Sequence, residues 1–311
     1  MLTSALNPNV VKTALDDVFM AEWDFRSGPA FADANDSDVF DQQTSSKASE
    51  TLEEFKGSGY WTARSETAVA SEGQPMAVYS STATHDALSR GIEISKHFMD
   101  DDQHSMWTKT MRDFAENGRV TRDKEAFELY RTGFTTTYGD SQYLFDSDHP
   151  ITGGTQSNKG TVKLSEANFE TALIALQEMK GRDGVVKGSV ARTLLVPTYL
   201  FKKACIILES EMRSGTADND ANVYSSKYNI IIKQTPWIGT AGGGSDDYWF
   251  LLARNHGIIR FLREDINTNL IPWQQRENRC YYYSGEFRQS TLAMSYVGAW
   301  GSDGTTGEYD A

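Results

Sequence analysis

An α+β fold is predicted by three features of the 311-residue chain. A long helix-periodic stretch lies in the first half, and alternating β-like stretches crowd the second. Strands and helices do not recur in regular βαβ order, and no internal repeat is visible. A chain of this length can bury a sizeable core. With 30 basic and 43 acidic residues, the formal charge is −13 and the pI near 4.9. That balance argues against a protein whose main work is neutralising phosphates. Mean hydropathy is −0.51, and no apolar run approaches the roughly 20 residues that a bilayer span needs. Residues 1–11 lack the basic and apolar regions of a secretory signal, so none is expected. Cys205 and Cys280 form neither a metal motif nor a disulfide framework, and are expected as buried thiols suited to a reducing cytosol.

Residues 1–56 hold eleven acids against four bases, interleaved with Phe19, Trp23, Phe25, Phe31 and Phe40. They are predicted to form an extended arm whose aromatics need a partner surface. The alternative is a segment folded back on its own core. Residues 57–84 are poor in charge and rich in Ser, Thr, Ala and Gly. A turn at Glu72-Gly-Gln-Pro75 separates strand-like stretches at 60–65 and 76–81, which predicts a projecting hairpin. Leu88, Ile92 and Ile94 alternate with polar residues, as in a half-buried strand.

Asp100-Asp-Asp102 leads into a helix predicted to run to Thr132. The acids suit its first turn, and Trp107, Met111, Phe114 and Gly118 follow at helical spacing, continued by Phe127, Tyr130 and Phe134. The other faces mix signs, with Arg112, Asp113, Arg119, Arg122 and Asp123 among them. After a loop at 133–160, Ser165 caps a second helix reaching Lys180. A strand at 192–196 runs into Pro197, which suits the first turn of a third helix reaching about Met212. Strands are predicted at 227–233, 248–253 and 258–263. A last stretch runs from Cys280 to Val297, with Leu292, Met294 and Tyr296 on one face.

Signs of catalysis are sparse. The histidines are His85, His97, His104, His149 and His256, and none completes an HExxH or a zinc-type pair with cysteine. Asp146-Ser-Asp148-His149-Pro150 is the most enzyme-like cluster, since carboxylates beside a histidine serve acid–base work or hold a cation for hydrolysis. Before a proline the same residues make a hydrogen-bonded turn, and that reading is preferred. Gly153–Gly160 lacks the Gly-Lys-Ser/Thr order of a phosphate loop. Gly239–Gly244 lacks GxGxxG spacing and reads as a flexible hairpin. There is no GxSxG elbow. No enzymatic activity, cofactor or metal is expected.

Six short motifs occur in order along the chain. Gly91-Ile-Glu-Ile-Ser-Lys96 precedes Asp100-Asp-Asp102. Tyr143-Leu-Phe-Asp-Ser-Asp-His-Pro-Ile151 is followed by Gly153-Gly-Thr-Gln-Ser-Asn158, and Thr193-Leu-Leu-Val-Pro197 and Tyr248-Trp-Phe-Leu-Leu-Ala253 complete the set. On these, with the arm, hairpin and long helix, the chain resembles tailed-phage major capsid proteins of the Hong Kong 97-like fold. More narrowly, it is similar to the Mu-like prophage major head subunit group. The resemblance implies an N-terminal arm (1–56), an E-loop hairpin (57–84) and a peripheral domain with a spine helix (85–163). An axial domain (164–270) and a C-terminal return to the peripheral sheet with a tail (271–311) would follow.

The resemblance also implies a structural function. Subunits would assemble through one another into pentamers and hexamers of an icosahedral or prolate head that encloses double-stranded DNA. A net negative charge suits a container that holds DNA without gripping it. A portal protein at one vertex, scaffold and decoration proteins are the further partners implied. The virion is the implied location, after assembly in the host cytoplasm and with no role for a membrane. An encapsulin-type compartment of the same fold is the alternative. The best-known member of the fold joins its subunits by a lysine–asparagine isopeptide bond from the E-loop and sheds a long N-terminal scaffolding region. Here residues 60–84 contain no lysine and about fifty residues precede the hairpin, so neither step is expected. The expected inter-subunit contacts are Phe19, Trp23 and Phe25 of the arm and Trp61, Arg64, Glu66 and Glu72 of the hairpin. Arg112, Asp113, Arg119, Arg122 and Asp123 of the helix join them.

Overall fold

The computed structural model describes residues 8–101, 106–210 and 222–307. The first half runs α1 (Pro8–Trp23), β1 (Asp41–Thr44), β2 (Ser49–Lys56), β3 (Met76–Thr84), β4 (Asp86–Ser95), α2 (Lys96–Asp100), α3 (Met106–Ala126) and α4 (Glu128–Thr132). Short strands β5 (His149–Ile151), β6 (Gly154–Gln156) and β7 (Lys159–Val162) precede α5 (Glu166–Gln177) and β8 (Ala191–Pro197). The chain continues through α6 (Phe201–Glu209), α7 (Val223–Lys227), β9 (Ile231–Thr235), β10 (Trp249–Ala253), β11 (Ile258–Ile271), β12 (Cys280–Ala293) and β13 (Ala299–Thr306). Among the described residues, no helix is long and apolar enough to cross a membrane.

Two sheets organise the molecule. The first is five-stranded, in the order β7-β13-β10-β8-β9. Its centre, β10, is apolar at every position because both of its faces are covered. Trp249, Leu251 and Ala253 point into a core with α5 and α6, while Phe250 and Leu252 point into a second core with Phe127, Tyr130 and Phe134. The second sheet has the order β1-β11-β12-β4, built on the long antiparallel pair of β11 and β12. α1 and α3 cover it, enclosing Phe19, Trp23, Met111, Phe114, Tyr283 and Phe287.

Several expectations are corrected. Phe19 and Trp23 are not waiting for a partner: they are 1% and 3% exposed within their own subunit. Val11, Leu15, Phe19 and Trp23 fall four residues apart on α1 and line one helix face. Gly118 has no Cβ to block the Trp23 ring, which would approach such an atom to 3.3 Å. Two of the acids that follow, and the amides beside them, are tied down as well. Lys233 pairs with Asp36 at 2.8 Å and Asp38 at 3.5 Å. Buried Arg260 donates to Asn35 and Gln42, at 2.8 and 3.0 Å, and to Gln289.

The long helix stops at Ala126 rather than Thr132. Phe127 leaves the helical region (ψ 2°) to turn its ring against Phe40, 5.1 Å away, and α4 restarts beyond it. Asp100 closes α2, whose cap is Ser95 accepting from the Phe98 N–H, so the acids do not open α3 there. Asp102, His104 and Met212 lie outside the described residues. Ser165 caps α5 by accepting from the Asn168 N–H, as its sequence suggests. Residues 223–227 are helical and β9 starts only at Ile231, because the Asn222 side chain caps that turn. Met294 is exposed between buried Leu292 and Tyr296, since β12 ends at Ala293. Gly239–Gly244 forms 3₁₀ turns, not a hairpin. Cys205 and Cys280 are half-buried rather than interior. Sheet membership also departs from the expected boundaries at 163 and 270. β11, before the second, lies in the four-stranded sheet, and β7 and β13 lie in the five-stranded one.

Candidate assembly surface

The hairpin begins earlier than its sequence suggests. β2 spans Ser49–Lys56 and pairs antiparallel with β3, while residues 57–75 between them carry no strand. The lower half is docked on its own subunit. Leu52 and Ala83 pack against Ile259, Phe261 and Leu292 of the four-stranded sheet. At the corner between β3 and β4, buried His85 bridges Ser290 through Nδ1 (2.9 Å) and Ser45 through Nε2 (3.0 Å). Burial pushes the His85 pKa down, helped by Arg263 and Arg288 and opposed by Glu50 and Asp86.

A second fastening lies at Glu54, the one buried residue of β2, near the C-terminal end of the strand. It accepts from Arg182 Nε at 2.8 Å and from the Ser295 hydroxyl. Arg182 reaches on to Asp140 through Nη2 (2.7 Å) and to the Pro150 carbonyl through Nη1 (3.0 Å). The Tyr79 and Tyr296 rings sit 4.7 and 4.6 Å from the guanidinium carbon. Burial pushes the Asp140 pKa up, but hydrogen bonds and charge from His149 and Arg182 together hold it below its ordinary value.

Beyond this base the tip projects. Trp61 is 96% and Val69 88% exposed, and Arg64, Glu66 and Glu72 are exposed beside them. The Tyr60 hydroxyl accepts from the Val186 N–H at 3.1 Å, and Thr62 and Ser71 bond across the tip at 2.8 Å. A solvent-facing Trp on a segment without a core of its own is the kind of group that a partner surface covers.

The other expected contact residues divide. Arg112 and Asp113 face solvent on α3, and Phe25 is exposed just after α1. Arg119 is turned inward, over the Phe25 ring and 3.8 Å from Glu22. Arg122 and Asp123 are buried, which corrects their placement on a solvated face. Arg122 lies over the Trp23 ring and pairs with Asp123 at 3.2 Å, and the Asp123 carboxylate accepts from the Ala34 N–H. They hold the arm to the spine helix.

The hydrolase reading of Asp146, Asp148 and His149 is also corrected. His149 is fully buried, stacked on Tyr296 at 4.3 Å, and its ring nitrogens meet Asp140 (2.7 Å) and Asn158 (3.1 Å). Asp146 instead accepts from the N–H groups of Tyr143 and Ser147, making the turn that its setting before proline suggests. Asp148 is exposed. No group of three or more metal-ligating side chains is gathered among the described residues. Glu54, Asp140 and Arg182 escape a sequence reading because they are 42 to 128 positions apart in pairwise contact and none sits in a motif.

A spine helix against a four-stranded sheet, a second unit around a five-stranded sheet, and a projecting hairpin together make up the Hong Kong 97-like fold. Solved structures agree. The chain is similar to the virus-like particle from Pyrococcus furiosus (TM-score 0.55, 10% identity, 93% of this chain and 98% of that one). It is similar to the procapsid of bacteriophage JBD30 (0.53, 16%, 99% and 77%) and to the capsid of Myoviridae phage XM1 (0.53, 12%, 90% and 94%). At these identities the likeness establishes the fold alone. No curated protein matches the sequence. The profile of the Mu-like prophage major head subunit gpT matches residues 76–163 and 158–238, together just over half of the chain, and the chain belongs to that family. It is a structural protein of the phage capsid shell.

Proposed function

We propose that this subunit forms the pentamers and hexamers of an icosahedral or prolate head around double-stranded DNA, with the hairpin tip docked on a neighbouring subunit. The exposed Trp61, on a tip whose base is held rigidly by its own subunit, carries this reading. The tip, Phe25, Arg112 and Asp113 are the surfaces offered to neighbours, and Trp61 with Arg64 supplies the anchor. Many identical contacts, each weak, close the shell because symmetry repeats them. Assembly in the host cytoplasm, a portal at one vertex, and scaffold and decoration partners belong to the same proposal. The overall charge of −13 keeps the wall from gripping packed DNA.

Electron microscopy of concentrated subunit tests the reading. Closed shells of uniform size are the expected result, and persistently monomeric protein would overturn it. Particles purified from an infected host should contain DNA, whereas shells filled with protein cargo would favour a compartment. Substituting Trp61→Ala and Arg64→Ala together should leave the melting temperature of the free subunit within a degree or two. The same pair should lower the temperature at which shells come apart. Wild-type shell robustness in that double variant would remove the hairpin from the role of fastener.

A further inference from the structure

Arg182 stands where four separate parts of the subunit meet. Its guanidinium binds β2 through Glu54, the loop after α4 through Asp140, and β5 through the Pro150 carbonyl. The Ser295 hydroxyl, from the link between β12 and β13, closes on the same Glu54 carboxylate. Arg182 is itself 4% exposed and flanked by two tyrosine rings. Asp140 is braced in turn by His149, whose ring is fixed by Asn158. The Asn158 amide donates to the Leu144 and Ala299 carbonyls at 2.8 and 3.1 Å, so this support reaches into the five-stranded sheet.

A charged cluster of this kind is a poor source of stability, because desolvating its members offsets most of their attraction. It does fix geometry. A planar guanidinium with three acceptors has one orientation, and a two-stranded hairpin without such a brace is marginal. The geometry matters because the hairpin is a lever. Trp61 lies seven residues beyond Glu54, up to about 23 Å of extended chain. A tilt of about 10° at the base then displaces the tip by about 4 Å, enough to lose a packed contact.

We propose that Arg182 is a positioning residue for shell assembly. By holding Glu54 against Asp140, it sets the attitude at which the hairpin presents its tip to the next subunit. The inference rests on the reading that the tip docks on a neighbour. Glu54→Gln removes the buried charge but keeps the shape of the side chain, and Arg182→Met removes the brace while keeping an apolar filler.

The test measures attitude and assembly separately. Spin labels placed at Glu66→Cys on the tip and Ile174→Cys on α5 report their distance in free subunits, with Cys205→Ser and Cys280→Ser as background. Both variants should broaden the distance distribution at least twofold and cut shell yield at least tenfold. Trp61→Ala with Arg64→Ala should cut shell robustness with no change in the distribution. An unchanged distribution in Glu54→Gln overturns the positioning role, and so does a broadened one with wild-type shell yield. Normal shells from the tip double variant would instead sink the docking reading, so the two failures are distinguishable. If Arg182→Met does not fold, Glu54→Gln carries the test.

Discussion

Replacing Trp23 with alanine is expected to destabilise the isolated subunit by about 3–5 kcal/mol, the usual cost of deleting a buried aromatic. The ring packs against Phe19 (6.0 Å between centroids) and Phe287 (5.2 Å), and the Arg122 guanidinium carbon lies 4.7 Å from its centroid. Removing it opens a cavity between α1, α3 and the four-stranded sheet, and strips a buried cation of its apolar cover. Phe19→Ala in the same chain acts on the same cavity, so the two costs will not simply add. Together they amount to a large part of the roughly 5–15 kcal/mol that a domain has available. Urea unfolding of the free subunit checks this. A Trp23→Ala subunit that melts normally and fails only in shell formation would return α1 to the role of a purely inter-subunit arm.

Mild acid is expected to weaken the subunit through His256, and His256→Asn to relieve it. His256 is buried, and its Nδ1 accepts from the Ile258 N–H at 3.0 Å, so the ring is the neutral tautomer protonated at Nε2. Burial pushes its pKa down to about 4, with Asp41 pulling weakly the other way. Between pH 6.5 and 4 the unfolded chain therefore binds a proton that the folded chain refuses. Stability is fully present above pH 6.5 and falls as the pH drops through that window. The loss from this group is about 2 kcal/mol between pH 7 and 5. Asparagine offers an oxygen to the same N–H two residues on, as in an Asx turn, and carries no titrating charge. Denaturant unfolding at pH 7 and pH 5 should show the variant losing about 2 kcal/mol less than wild type. His85, whose pKa is also depressed, leaves a residual slope in both. Equal losses in the two proteins would show that His256 is not the sensor.

The sequence alone carried the fold class, because periodicity is local. The all-apolar run Trp249–Ala253 appears as the doubly covered centre of a sheet. Leu88, Ile92 and Ile94 alternate along β4, and Ser165 caps its helix. The turn at Asp146 was legible in the same way, since the bonds that make it span one to three residues. Even the helix at the N-terminus left a trace in the four-residue spacing of Val11, Leu15, Phe19 and Trp23. The density of acids, Gly and Pro that follows masks it.

Tertiary structure decided everything that depends on pairing between distant residues. The acids of residues 33–38 look like a solvated run until Lys233 closes on Asp36 and Asp38. Arg122 and Asp123 have the periodicity of an exposed face, and only the Trp23 ring and the Ala34 N–H make their burial tolerable. The start of the hairpin at Ser49 was hidden because β2 reads Ser-Glu-Thr-Leu-Glu-Glu-Phe-Lys, too charged for an ordinary strand. Its buried Glu54 is permitted by Arg182, 128 residues away, and by the Ser295 hydroxyl. A charge enters a core only where the fold brings it a partner, and sequence spacing holds no record of which residues will meet.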